Sequence, residues 1–390
     1  MSDSQHPTRF GVFHPPFHSR NENPTLALRR DVELMEYLDH LGFDEAWIGE
    51  HHSGGYETIS SPEVFIAAAA ERTRRIRFGT GAITLPFHHP LNVANRMVLL
   101  DHLTRGRTML GVGPGSLPAD AHMLGVDLGR ARDMMEESLE AIVALLDGDE
   151  PVNRKTSWFE LRDARLQLRP YTRPRFEIVV TAVASPSGPS LAGRFGAGLL
   201  SAAATQPEGF NALAWHWDVL GQRAREFGQT VDRSSWRLVC PVHLAETREQ
   251  AAANVAAGLE DWVHGYVTKL TSAALPDMSG VSDLVEAVRQ SGFAVIGTPD
   301  DAIEQINRLT EQSGGFGSFV IFEGNWADRA ATLRSYELFA QHVAPVFQGS
   351  LDSLRANYDW ATALKPQWER ESQAAQSAAF AKHEAAPAAD

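Results

Sequence analysis

Short apolar runs alternate along this chain with longer stretches whose apolar residues recur at helical spacing. Phe10-Gly-Val-Phe13 has the brevity and apolar content of a buried strand, and Pro15-Pro16 with the polar stretch to Asn23 cannot continue it. From Pro24 the pattern changes: Leu28, Val32, Met35, Leu38 and Leu41 fall broadly on one helical face, proline suits the first turn, and Gly42 supplies a left-handed stop. Residues 43–49 predict the next strand. Ser61-Pro62 opens a helix reaching about Arg74, 77–85 reads as a third strand, 91–104 as a helix closed near Gly106, and 107–113 as a fourth strand. Strands joined by crossover helices predict a parallel sheet. Residues 178–182, 198–201, 238–244 and 316–322, each followed by a helical stretch, continue the rhythm and bring the strands to the number that closes a (β/α)8 TIM barrel.

Two segments interrupt this order. Residues 155–173 alternate at Trp158, Leu161, Leu166 and Leu168, which predicts an inserted hairpin, and 268–292 reads as a longer insertion, either a lid or a packing excursion. The fold class expected is therefore α/β, a (β/α)8 barrel over 8–345 with inserted segments and a C-terminal extension over 346–390. The alanine-rich end, 373–390, is expected to be a frayed helix or disordered tail, so the extension is partly disordered in this reading.

Composition narrows the function. Hydrophobic residues are 43% and charged residues 22% of the 390, which excludes a disordered or collagenous chain, while a net charge of −14 argues against a general binder of nucleic acid or anionic membrane. Cys240 is the single cysteine, so neither a disulfide framework nor a cysteine-rich zinc site can form within one chain. The polar start, 1–9, lacks an apolar signal core, and the longest apolar run, 64–70, is far below the ~18 residues of a membrane span. The expectation is a soluble cytoplasmic protein.

In a parallel barrel the loops after the strands converge on one face, so chemistry is sought there. Phe13-His14-Pro15-Pro16-Phe17-His18 suits the wall of a flat, mainly apolar ligand site or simple loop packing. In Glu50-His51-His52 adjacent side chains of an extended segment diverge, which is poor spacing for one metal, so no metal is expected; one histidine serves as acid or base, or is structural. Gly79-Thr80-Gly81-Ala82 lets a planar ligand approach the backbone, with Thr80 or Asn92 as a side-chain contact, or else serves barrel-corner geometry. Gly111-Val-Gly113-Pro-Gly115 resembles a dinucleotide fingerprint only superficially, because Pro114 and Leu117-Pro118 spoil an immediate helix. Ala184-Ser185-Pro-Ser-Gly188-Pro-Ser190 precedes a helix and suits one phosphate, or is a serine-capped helix start.

These motifs in order resemble the bacterial-luciferase-like flavin-dependent monooxygenases. The resemblance is carried by Phe43-Asp44-x-x-Trp47-x-x-Glu50-His51-His52, Ile76-x-x-Gly79-Thr80-Gly81 with Pro86 and His89-Pro90, Leu100-Asp101-x-Leu103-x-x-Gly106-Arg107-x-x-x-Gly111-Val112-Gly113, and Ile296-Gly297-Thr298-Pro299. It implies a barrel that binds reduced flavin, FMN before FAD, supplied with NAD(P)H by a separate reductase, and that uses O2 to insert one oxygen atom into an apolar small molecule. His51 matches the catalytic histidine; Ala184, Ser185 and Gly188 match the phosphate site; and Ala82 falls where the flavin ring packs. Phe13, His14, Phe17, His18 and Trp47 are candidates for the substrate pocket. Pro114 stands where the family often has an arginine, which puts one phosphate contact in doubt. The glycine-rich variant and the length look most like the limonene 1,2-monooxygenase branch, which implies epoxidation of a monoterpene, and family members commonly form homo-oligomers. The alternatives are a deazaflavin-dependent dehydrogenase on the same barrel and a non-catalytic flavin-binding accessory subunit.

Overall fold

All eight expected strands form. In the computed structural model, which describes residues 8–271, 275 and 283–384, they are β1 (Arg9–His14), β2 (Glu45–Ile48), β3 (Arg77–Thr80), β4 (Thr108–Gly113), β5 (Glu177–Ala182), β6 (Gly198–Ser201), β7 (Trp236–Leu244) and β8 (Ser318–Phe322). Each pairs in parallel with its neighbour in chain order, and β8 closes on β1 with Arg9 opposite Ser318 and Phe13 opposite Phe322. The crossovers carry α1 (Pro24–Leu41), α2 (Pro62–Ala70), α3 (Pro90–Thr104), α4 (Ala131–Asp147), α5 (Ser187–Phe195), α6 (Pro207–Glu226) and α7 (Arg248–Glu260), and α8 (Arg329–Leu338) follows the last strand. Among the described residues no helix is long and apolar enough to cross a membrane.

Local chemistry explains the boundaries. The Asn23 side chain accepts from the Thr25 and Leu26 N–H groups at the start of α1, and Gly42 ends that helix at φ 87°. Helix α2 stops at Ala70, short of the expected Arg74, because the Asp39 carboxylate takes the N–H groups of Arg74, Arg75 and Ile76. The third strand is interrupted after Thr80, whose hydroxyl donates to Gly111 O and accepts from Gly111 N at 2.7 and 3.0 Å. The strand direction resumes only at Ile83–Thr84, beside β4. The inserted hairpin pairs Val152–Lys155 with Glu160–Ala164, a few residues earlier than the alternation suggested. Val295–Gly297, which no strand expectation covered, adds to the far end of β7. Of the second insertion, 272–274 and 276–282 lie outside the described residues, and Leu284–Ser291 is helical.

The chain divides into two units, Met1–Ala344 and Pro345–Asp390. The second is dominated by one helix, Asp352–Glu384, with Pro366 inside it and no buried residue. It runs through most of the stretch expected to fray, and 385–390 lie outside the described residues.

The barrel interior is filled in two layers. At the amino-terminal end Arg237 is fully buried; its guanidinium bonds Glu45 at 3.0 and 3.1 Å and Glu177 at 3.0 Å, and lies over the Trp47 ring at 5.2 Å. Burial pushes the Glu177 carboxyl up, but Arg237 and Arg77 outweigh it and hold it at about 2. Above this cluster Trp47 packs with Met109, Val179, Leu200, Val239 and Val320. A Cβ on Gly79 would drive into the Trp47 ring. That glycine therefore admits the indole, and a ligand is not what it accommodates.

Truncating a buried charge leaves its partners unpaired, so Arg237→Met should cost about 3–5 kcal/mol in urea unfolding. Arg77→Ala, which removes a partly exposed partner of the same Glu177, should cost under about 1 kcal/mol.

Candidate active site

With the barrel filled from below, the open volume lies at the carboxyl ends of the strands. A cavity of about 1070 Å³ receives residues from every strand or the loop after it. His51, at its wall, is gripped from two sides: Nδ1 bonds Asp120 Oδ2 at 3.0 Å, and Nε2 stands 3.1 Å from Glu57 Oε2. Asp120 is itself fixed by the His52 N–H at 3.1 Å and the Ser53 hydroxyl at 2.5 Å. Burial pulls the His51 imidazole down, yet the carboxylates of Glu57 and Asp120 outweigh it and hold the ring above its ordinary range. Burial raises the Asp120 carboxyl, but hydrogen bonds from His51 and Ser53 bring it below. Glu57 goes the other way: burial dominates and lifts it, despite His51 and the Tyr266 hydroxyl that donates to its Oε2.

Tyr266 and Trp262 come from a π-helical turn, Asp261–Val267, that continues α7. Such turns re-aim side chains, and here both aromatics reach the cavity. Together with Val267, Phe293, Phe322 and Phe13 they make one end of it apolar and aromatic. The other end is polar. Ser185, Ser187 and Gly188 stand at the start of α5, where the two serine hydroxyls bond each other at 2.8 Å and no side chain caps the helix. Arg132 joins them from α4, one turn before Glu136, which pairs with Arg194 of α5. Ala82 and Gly113–Ser116 also line the cavity, and a Cβ on Gly113 would stand 3.4 Å from that of Ala82.

Of the residues singled out in the sequence, His51, Ala82, Ala184, Ser185, Gly188 and Phe13 share this cavity. His14, Phe17, His18, Trp47, Thr80 and Asn92 do not line it. Trp47 belongs to the plug beneath. His14 is buried with Nδ1 bonded to Glu323 at 3.1 Å and Nε2 3.3 Å from Asp31, which also bonds His18 Nε2 at 2.8 Å. Phe17 stacks on Tyr56 at 4.9 Å in the cluster behind the wall. Thr80 is wholly buried in its bonds to Gly111, and Asn92 is exposed on α3 away from the cavity. Gly188 has a packing reason to be glycine, since a Cβ would stand 2.6 Å from Thr181 O.

The sequence reading missed Asp120, Glu57, Tyr266, Trp262 and Arg132. A signal for Asp120 was present. Pro118 starts a helix, Pro118–Met123, where proline was expected to prevent one, and Asp120 sits in its first turn. Glu50, His52 and His88 also gather, with both Nε2 atoms on Glu50 Oε1 at 2.9 and 2.8 Å. Arg96 donates to His88 Nδ1 at 3.3 Å, which puts the His88 proton on Nε2 facing Glu50 and makes this a hydrogen-bonded cluster.

A parallel barrel with its open volume at the carboxyl face, a histidine held between two carboxylates on one wall and an uncapped helix start on another fits a flavin-dependent monooxygenase. The chain belongs to the luciferase-like monooxygenase family, whose model matches residues 8–315. It is 49% identical over 361 residues to the limonene 1,2-monooxygenase of Rhodococcus erythropolis, covering 92% of each chain. It is 46% identical over 353 residues to the 4-hydroxyprotoasukamycin monooxygenase of Streptomyces nodosus subsp. asukaensis, covering 90% of this chain and 95% of that one. Among solved structures it is similar to the oxygenating constituent of 3,6-diketocamphane monooxygenase from Pseudomonas putida, a type II Baeyer-Villiger monooxygenase in complex with FMN. That match has a TM-score of 0.71 and 27% identity, covering 87% of this chain and 98% of that one. The dehydrogenase and accessory-subunit alternatives are not favoured.

The buried His14 gives a pH signature. Burial lowers its affinity for the proton, but Asp31 and Glu323 raise it to about 10 from 6.5. Its stabilising contribution is then complete below pH 6.5 and is lost as pH rises through about 10. The gap in unfolding free energy between wild type and His14→Gln should therefore narrow from neutral pH to pH 10.

Proposed function

We propose that this cavity holds reduced flavin and oxygenates a compact apolar substrate, an alkene of the monoterpene class. The observation that carries the reading is the division of one continuous volume into an anion-suited end and an aromatic end. The uncapped first turn of α5, the Ser185 and Ser187 hydroxyls and Arg132 would hold the flavin phosphate. Arg132 then supplies the cationic contact missing at Pro114. Ala82, with no side chain beyond Cβ, would pack against the flavin ring, and FMN suits a site with room for one phosphate. The bound flavin supplies the electrons and activates O2.

The protein's own part is to position, to keep water out and to manage protons. The aromatic end of Trp262, Phe293 and Phe322 offers dispersion contacts and no hydrogen bonds that would demand a polar substrate. His51, oriented through Nδ1 by Asp120, holds a proton at its Nε2 edge on the cavity wall. The substrate class rests on the aromatic end together with the 49% identity to a limonene 1,2-monooxygenase. A separate NAD(P)H-dependent reductase is the proposed source of reduced flavin.

The test is turnover with a reductase, FMN, 18O2 and limonene, with a bicyclic ketone in parallel. One labelled oxygen in a limonene epoxide is expected; label only in a ketone-derived lactone moves the substrate class, and no label in either product sinks the reading. His51→Ala should fold and bind flavin yet turn over at least ~100-fold more slowly, the lower end of an acid–base contribution; near-wild-type rates remove His51 from the role. Ser185→Ala should weaken flavin binding by about 1 kcal/mol in a fluorescence titration, and an unchanged titration contradicts the phosphate placement.

A further inference from the structure

Glu57 is a buried carboxyl on the cavity wall, and the roles given so far leave it unused. Its Oε2 receives the Tyr266 hydroxyl and stands 3.1 Å from His51 Nε2. Its backbone is set by the antiparallel bridge of Phe17 with Glu57 and by the bond from the His18 N–H to Tyr56 O at 2.9 Å. Tyr266 is presented by the π-helical turn, which is tied to the same loop through the Tyr56 hydroxyl on Asp261 at 3.3 Å. Two separate parts of the barrel thus converge on one carboxylate oxygen.

The proton count at His51 follows from its neighbours. Asp120 is ionised and takes the Nδ1 proton, since its carboxylate also accepts from Ser53 and the His52 N–H. Nε2 is left facing Glu57 at a separation within proton-transfer reach. Two arrangements satisfy both groups: imidazolium beside carboxylate, or neutral imidazole accepting from a protonated Glu57. They differ by the position of one proton, the N–H bond at Nε2 breaking as the O–H bond at Oε2 forms. Tyr266 donates in both.

We propose that His51 and Glu57 form a proton-sharing pair in which Glu57 acts through His51 as its proton partner and Tyr266 positions Glu57. The other ionisable groups acting on the pair are Asp120, Glu50 and His14, and none of them touches Glu57 Oε2 by a hydrogen bond among the described residues. The proposal rests on His51 being the acid–base residue of this cavity.

The experiment reads the imidazole in flavin-free protein, by 15N NMR of histidine-labelled enzyme titrated with pH, so that the pair is judged apart from oxygenation. In Glu57→Gln the His51 midpoint should fall by about one pH unit or more, the low end of the effect of an adjacent opposite charge. Glu57→Asp, which keeps the charge, should recover about half of that shift. Tyr266→Phe, a milder change, should lower the midpoint in the same direction. A His51 midpoint within about 0.3 unit of wild type in a folded Glu57→Gln protein overturns the pair; should that variant not fold, an unmoved midpoint in Tyr266→Phe does so. With flavin, the pH–rate profile of Glu57→Gln should shift its His51 limb in parallel with the NMR midpoint, a shift that loss of packing alone does not produce.

Discussion

The Arg237 guanidinium, dry and shared between Glu45 and Glu177, is the constraint on which the barrel depends. It ties β2, β5 and β7 across the barrel axis, and its charge is tolerable there only because both carboxylates stay ionised beside it. Trp47 lies on it and fills the interior as far as Gly79 allows. Nothing can bind within the barrel below that level, so every ligand-facing group must come from the strand ends and the loops beyond them.

Those loops divide the labour by chemistry. Serines, a helix start and Arg132 gather at one side, while aromatics from β8 and the π-helical turn gather at the other. The His51 cluster lies on the cavity wall, its ring held at both nitrogens by carboxylates of opposite tendency: Asp120 is drawn toward ionisation and Glu57 away from it. A histidine held in this way cannot rotate freely to meet a substrate. In the proposed reading it is the fixed point through which a proton is held or passed.

The strand and helix rhythm was legible because most buried strands are short apolar runs and most helices start at proline or a polar residue, as at Asn23-Pro24 and Ser61-Pro62. His51, Ala82, Ser185 and Gly188 were legible as motif positions at strand ends. What the sequence hid was direction. Phe13, His14, Phe17 and His18 lie within six positions at the end of β1 and the start of its loop, yet of these four only Phe13 faces the cavity, while His14 and His18 turn to Asp31. Gly79 looked like room for a ligand and proves to be room for Trp47. Glu57 and Tyr266 are 209 positions apart, and local periodicity carries no information about such a meeting.

The arrangement of the cavity is tested most directly by a crystal structure with FMN and a monoterpene bound together. The phosphate should lie at the first turn of α5 against Ser185 and Arg132, the ring beside Ala82, and the hydrocarbon among Trp262, Phe293 and Phe322. A phosphate seated elsewhere, or a ring occupying the aromatic end and leaving no room for the hydrocarbon, would contradict the division of the cavity.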